Sequence, residues 1–260
     1  MEQIWSLHES SSPVIATAIH NGNRVRKEVA ELLALSDSER LREEDPFTEE
    51  WAAVSDTRII ALHSRFEVDL NRPRDKAVYI SPEDAWGLEV WKSGPSPDMI
   101  ARSLEAYDAF YKEVMRVLKI AESRFGHFVV MDIHSYNHVR TGPGGAVADP
   151  DLNPEVNIGT GTMKRERWAP VVERFIADLR GFDFLGRHLD VRENVRFRGG
   201  NFPRWIHETF PETGCALAVE VKKFFMDEWT GKPDSVYMKT IYQALKSTMP
   251  GIIEELSKLR

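Results

Sequence analysis

A chain of 260 residues that is 42% hydrophobic and 29% charged is long enough to bury a sizeable core, and it reads as one globular domain over 1–260. Its formal net charge of -7 argues against nucleic-acid binding, which draws on a basic patch, and no apolar run is long enough to span a bilayer, so a small-molecule partner is expected. The single Cys215 rules out an intrachain disulfide framework, and with no basic and apolar leader before Pro13 the cytoplasm is the expected address.

Pro13-Val14-Ile15-Ala16-Thr17-Ala18-Ile19-His20 is a short apolar run that ends in a histidine. Asn21-Gly22-Asn23 suits a turn, and over 24–35 Val25, Val29, Leu32, Leu33 and Leu35 recur at helical spacing, which gives strand, turn and helix. The next feature, Arg42-Glu43-Glu44-Asp45-Pro46-Phe47, is either a solvated acidic loop or the source of a metal-binding carboxylate. Pro46 restricts Asp45 to extended backbone. Thr57-Arg58-Ile59-Ile60-Ala61-Leu62 reads as a second strand leading into 64–73, where Asp69, Asn71 and Arg72 fall within four residues. An arginine fork beside an amide donor suits a substrate carboxylate, and the plainer alternative is an Arg72 paired with Asp69 or Asp75 at the surface.

Residues 74–96 are rich in loop formers and could wall a pocket, with Trp86 and Trp91 assigned to local packing. From 97 to 124, Ile100, Leu104, Tyr107, Tyr111, Met115, Leu118 and Ala121 mark a long amphipathic helix. It leads into His127-Phe128-Val129-Val130-Met131-Asp132-Ile133-His134-Ser135-Tyr136, read as a buried strand that carries His134 toward its carboxyl end, where ligands of open α/β sheets bind. A turn-dense stretch and a helix near 164–180 follow, and then Arg196-Phe197-Arg198-Gly199-Gly200-Asn201, which lacks the spacing of a phosphate-binding loop. Glu220 lies inside the apolar strand 215–221, where an unpaired carboxylate is costly, and this points to a role. A final helix is expected over 235–259. Two strand-end histidines could lie side by side, and imidazole is the commonest protein ligand for zinc.

Ser64-Arg65-Phe66-Glu67-Val68-Asp69-Leu70-Asn71-Arg72-Pro73, Asp132-Ile133-His134-Ser135, Asn157-Ile158-Gly159-Thr160, Phe197-Arg198-Gly199-Gly200 and Val219-Glu220 with Met226-Asp227-Glu228 resemble, in this order, the motifs of the N-formylglutamate amidohydrolase family. They are similar more broadly to zinc carboxypeptidases and acylamino-acid deacylases. The resemblance covers most of the chain. It implies an α/β three-layer sandwich, a central mixed β-sheet flanked by helices, of the zinc-carboxypeptidase-like kind. It also implies one Zn2+ per chain with His20 and His134 as ligands, Glu220 as general base, and Asn71 and Arg72 on a substrate carboxylate. The carboxypeptidase pattern has its third ligand, a glutamate, three residues after the first histidine; Asn23 stands there, so that role passes to Glu44 or Asp45. For the oxyanion the candidates are Arg204, Arg65 and Arg198, with Arg204 taken as catalytic and Arg65 as substrate-binding. The implied activity is zinc-dependent hydrolysis of the amide bond of an N-acyl amino acid such as N-formylglutamate. A metallocarboxypeptidase-type peptidase and a non-catalytic binding protein on the same fold are the alternatives.

Overall fold

The computed structural model describes residues 3–259. Seven strands form one sheet: β1 (Trp5–His8), β2 (Val14–Ala18), β3 (Thr57–Ala61), β4 (Phe128–Tyr136), β5 (Val156–Gly159), β6 (Val191–Glu193) and β7 (Gly214–Lys222), in the order β1-β3-β2-β4-β7-β5-β6. The inner strands β3, β2, β4 and β7 run parallel, whereas β1 pairs antiparallel with β3 and β5 pairs antiparallel with β7, so the sheet is mixed. Among the described residues eight α-helices accompany it: α1 (Lys27–Leu32), α2 (Asp37–Glu43), α3 (Thr48–Ala52), α4 (Pro97–Phe125), α5 (Ala169–Gly181), α6 (Asn201–Thr209), α7 (Ser235–Ser247) and α8 (Met249–Lys258).

Strand alternation sorts the core into two layers. Val129, Met131 and Ile133 of β4, with Leu217 and Val219 of β7, face a cluster that includes Trp51 of α3, Phe175 of α5, Ile241 of α7 and Ile252 of α8. The opposite face, with Val130 and Ala216, packs on Phe110 and Val114 of α4 and on Phe202 and Ile206 of α6. Every residue of β4 is buried. A strand covered on both sides reads as a continuous apolar run, which is why this one stands out in the sequence.

Helix α4 shows how local signals set an element's limits. Ser96 caps it by accepting from the Met99 N–H, Pro97 takes the first turn, and Gly126, at φ 76°, stops it in a conformation that suits glycine. Its buried face, including Ala106, Phe110, Val114, Val117 and Ala121, follows the helical repeat.

The expected strands over 13–20, 57–62, 127–136 and 215–221 are all present. The added strands β1, β5 and β6 are only four, four and three residues long, too short for a periodic signal. The helix expected over 235–259 is two helices, α7 and α8, meeting at Thr248, with Pro250 in the first turn of α8, where its missing N–H costs nothing. The helix expected over 24–35 is regular only from Lys27 to Leu32.

Candidate metal centre and active site

The site lies where the parallel strands end. His134 is opposite Glu220 across the β4–β7 ladder, and Asp132, two residues earlier, points to the same face as His134. His20 follows just beyond β2, which pairs with β4. Asp45 comes from the loop after α2. Ligand atoms of His20, Asp45 and His134, all buried, lie within 4.8 Å of one another. The two imidazoles meet edge to face with centroids 4.9 Å apart.

Each histidine presents one nitrogen to Asp45 and anchors the other on a second carboxylate. His134 places Nδ1 2.9 Å from Asp45 Oδ2 and Nε2 2.9 Å from Asp132 Oδ2. His20 places Nδ1 3.5 Å from the same Asp45 oxygen and Nε2 2.7 Å from Asp69 Oδ1. The outer carboxylates are themselves held. Thr17 donates its hydroxyl to Asp132 at 2.9 Å, while Asp69 accepts from the Asn71 N–H at 2.8 Å, from Arg65 at 2.7 Å and from the Tyr79 hydroxyl. Carboxylates on the outer nitrogens fix the tautomer and orientation of metal-binding histidines.

This donor set fits a metal ion. Two imidazoles and the Asp45 carboxylate bring ligand atoms together in a buried place, Asp69 and Asp132 hold the outer nitrogens, and burial of this much anionic charge favours a cation. Burial opposes ionisation of Asp45, yet the hydrogen bonds of His134 and His20 more than offset it and hold its carboxyl far below the usual range. For His134 burial favours the neutral ring, but the charges of Asp132 and Glu220 prevail and raise its pKa well above the ordinary value. Removal from bulk water pushes Glu220 up to about 7, with Asp45 and Asp132 adding to the rise and His134 opposing it.

His20, Asp45, His134 and Glu220 all line one cavity of about 260 Å³, together with Arg65, Asn71, Arg72 and Arg198. Arg65 is locked: besides Asp69 it donates to Tyr79 Oη at 3.1 Å, and its guanidinium lies 4.8 Å from the Trp86 ring. Arg72 is a third exposed at its side chain, donates to the Asp84 carbonyl at 3.1 Å and lies over Tyr79. Asn71 uses Oδ1 to accept the Phe202 N–H at 2.9 Å, which secures the start of α6. Gly200 is required there, because a Cβ on it would come within 2.3 Å of the Asn71 side chain.

Two of the residues singled out from the sequence lie elsewhere. Glu44 adjoins Asp45 but turns away from the histidines; its Oε1 accepts the Ser64 hydroxyl, Arg40 lies 3.5 Å off, and burial pushes its carboxyl up to about 7. Arg204 projects from the exposed side of α6 and does not line the cavity, whereas Arg198 does. Asp69 and Asp132, as holders of the histidines, were not inferred from the sequence. For Asp132 a signal existed, since a carboxylate two residues before a histidine on a strand shares its face. Trp86, assigned to local packing in a stretch that could wall a pocket, packs on Arg65 and Tyr79, is 49% exposed and lines the cavity.

Candidate catalytic groups gathered at the carboxyl ends of parallel strands are the arrangement of the α/β enzymes. A sequence model described as N-formylglutamate amidohydrolase matches residues 12–226, so the chain belongs to that family and is a hydrolase of the amidohydrolase type. The N-formylglutamate deformylase of Pseudomonas aeruginosa is 26% identical over 281 residues, spanning 98% of this chain and 97% of that protein. The N-formylglutamate deformylase of Pseudomonas putida is 26% identical over 271 residues, spanning 94% and 96%. The crystal structure of N-formylglutamate amidohydrolase from Ralstonia eutropha JMP134 shares the fold, with a TM-score of 0.79 at 15% identity and 99% of each chain covered.

Proposed function

We propose that the protein hydrolyses the formamide bond of N-formylglutamate, with one zinc ion held by His20, Asp45 and His134 and with Glu220 as general base. The observation that carries this reading is the convergence of the His-Asp-His cluster and an in-register glutamate on a cavity that also holds Asn71 and Arg72. Two imidazoles and one carboxylate make a common ligand set for catalytic zinc, which when bound polarises a carbonyl and lowers the pKa of water toward neutrality.

The chain's own residues supply the rest. Asn71, its Oδ1 committed to α6, offers its amide N–H groups, and Arg72 offers a guanidinium fork, so the pair binds the α-carboxylate and directs the formyl group inward. The Arg198 guanidinium makes no hydrogen bond or ion pair among the described residues, while the residue's carbonyl accepts the Gly161 N–H, and the guanidinium receives the side-chain carboxylate of the substrate. Arg65 is a fixed donor suited to the developing oxyanion. As water oxygen adds to the formyl carbon, Glu220 takes its proton, and it returns that proton to the nitrogen when the carbon–nitrogen bond breaks, leaving formate and glutamate. One sheet and the loops that leave it carry the site, consistent with a single catalytic domain, and one buried cysteine suits the cytoplasm. No helix among the described residues is long and apolar enough to cross a membrane.

The test is a substrate panel of N-formylglutamate, N-formylglutamine, N-acetylglutamate and a dipeptide ending in glutamate, run with and without chelator. The expected result is preference for N-formylglutamate, abolished by chelator, and a smaller preference over N-formylglutamine in Arg198→Ala. Preference for the dipeptide would favour a peptidase, and no turnover of any member by metal-loaded protein would favour a binding protein.

A further inference from the structure

Lys223 stands directly after β7, three residues beyond Glu220, and is 1% exposed. Its ammonium lies 2.5 Å from the carbonyl oxygen of Arg42 and 2.8 Å from that of Glu44. These carbonyls belong to the C-terminal end of α2, where the last turn lacks intrahelical donors and the helix dipole is negative, so a cation is favoured there. Burying an ammonium is costly, and here the cost is offset by main-chain acceptors. The Glu44 carbonyl is part of the peptide bond that leads into Asp45. From the other side, the Asp45 N–H donates to the His20 carbonyl at 2.9 Å, and the Thr48 hydroxyl donates to the Asp45 carbonyl at 2.7 Å. The backbone around Asp45 is therefore tied to the histidine after β2 at one point and to the strand of Glu220 at another.

We propose that Lys223 is a positioning residue: by gripping the carbonyls of Arg42 and Glu44 it fixes the Asp45 carboxylate against the two histidines and sets its place relative to Glu220. The inference rests on the metal-binding reading of the site. Lys223→Met keeps the aliphatic stem and removes every donor, whereas Lys223→Gln retains an N–H donor on a shorter stem.

The experiment measures the zinc Kd of metal-free wild type and both variants by chelator competition, with thermal unfolding of the metal-free proteins followed alongside. The cobalt-substituted proteins are compared by visible absorption, which responds to ligand geometry. Lys223→Met should bind zinc about 10- to 100-fold more weakly, the usual effect of losing an outer-shell partner, with a changed cobalt spectrum and nearly unchanged melting. Lys223→Gln should fall between it and the wild type. Unchanged zinc affinity and cobalt spectrum in folded Lys223→Met overturn the inference. If Lys223→Met does not fold, the same outcome in Lys223→Gln overturns it. A wild type that takes up no zinc overturns the metal reading itself, which separates the two failures.

Discussion

At the residue scale the site depends on which groups touch the reacting atoms and which hold those groups in place. In the proposed mechanism Glu220 belongs to the first kind. Glu220→Gln keeps shape and hydrogen-bonding capacity but removes the base, so kcat should fall on the order of 100- to 10,000-fold while zinc content and KM stay nearly constant. Loss of zinc in that variant would make Glu220 a ligand. Asp132 belongs to the second kind, as the acceptor for the outer nitrogen of His134. Asp132→Asn should weaken zinc binding about 10- to 100-fold, read by the same chelator competition, and an unchanged Kd would show that His134 needs no anchor. His20, His134 and Glu220 are legible in the sequence because each follows or interrupts an apolar run. The choice between Glu44 and Asp45 is not, because neighbouring residues in a loop have no periodicity to say which side chain turns inward. Arg204 illustrates the same limit: without knowing that α6 begins at Asn201, its outward direction cannot be read.

At the element scale, register does most of the placing. The pairing of β4 with β7 sets His134 beside Glu220, and β5 sets Asn157 on the other side of Glu220. Asn157 accepts the Arg196 N–H at 2.8 Å and donates to the Phe197 carbonyl at 2.8 Å, which holds the loop bearing Arg198. Helix α6 then follows from Gly200, and Gly200→Ala should displace Asn71, raising KM and costing about 1 to 3 kcal/mol of stability in denaturant unfolding. An unchanged KM would detach Asn71 from substrate binding.

The same helix carries a pH signature. His207 is buried, accepts the Ala216 N–H at 2.9 Å and pairs with the Thr162 hydroxyl, and burial lowers its pKa to about 4. The unfolded chain takes up this proton near the ordinary histidine value of about 6.5, so between there and pH 4 the unfolded state holds more protons and stability falls as pH falls. The loss attributable to His207 reaches on the order of 3 kcal/mol at pH 4. Urea unfolding of wild type and His207→Gln at pH 7 and pH 4 should show the gap between them shrinking in acid, and a constant gap would contradict a neutral buried His207.

At the scale of the whole molecule, the sequence exposes the parallel centre of the sheet and leaves its edges unclear. Strands buried on both faces, such as β2, β4 and β7, are continuous apolar runs, whereas β6 has only Val191 buried among three residues. The two-sided core explains why the chain needs helices on both faces, and the long stripe of α4 is readable because the helix is 29 residues long. Short helices α2 and α3, which deliver and brace Asp45, leave no comparable periodic trace. The site is assembled from segments more than a hundred residues apart, and only the fold brings them together.

Formamide hydrolysis is proposed to require one zinc ion at His20, Asp45 and His134. The most direct measurement strips the protein with chelator, removes the chelator, and returns zinc stepwise while formate release from N-formylglutamate is followed. The predicted result is negligible turnover in the stripped protein and a linear recovery that saturates at one zinc per chain. Full turnover by protein shown to be free of metal would contradict it.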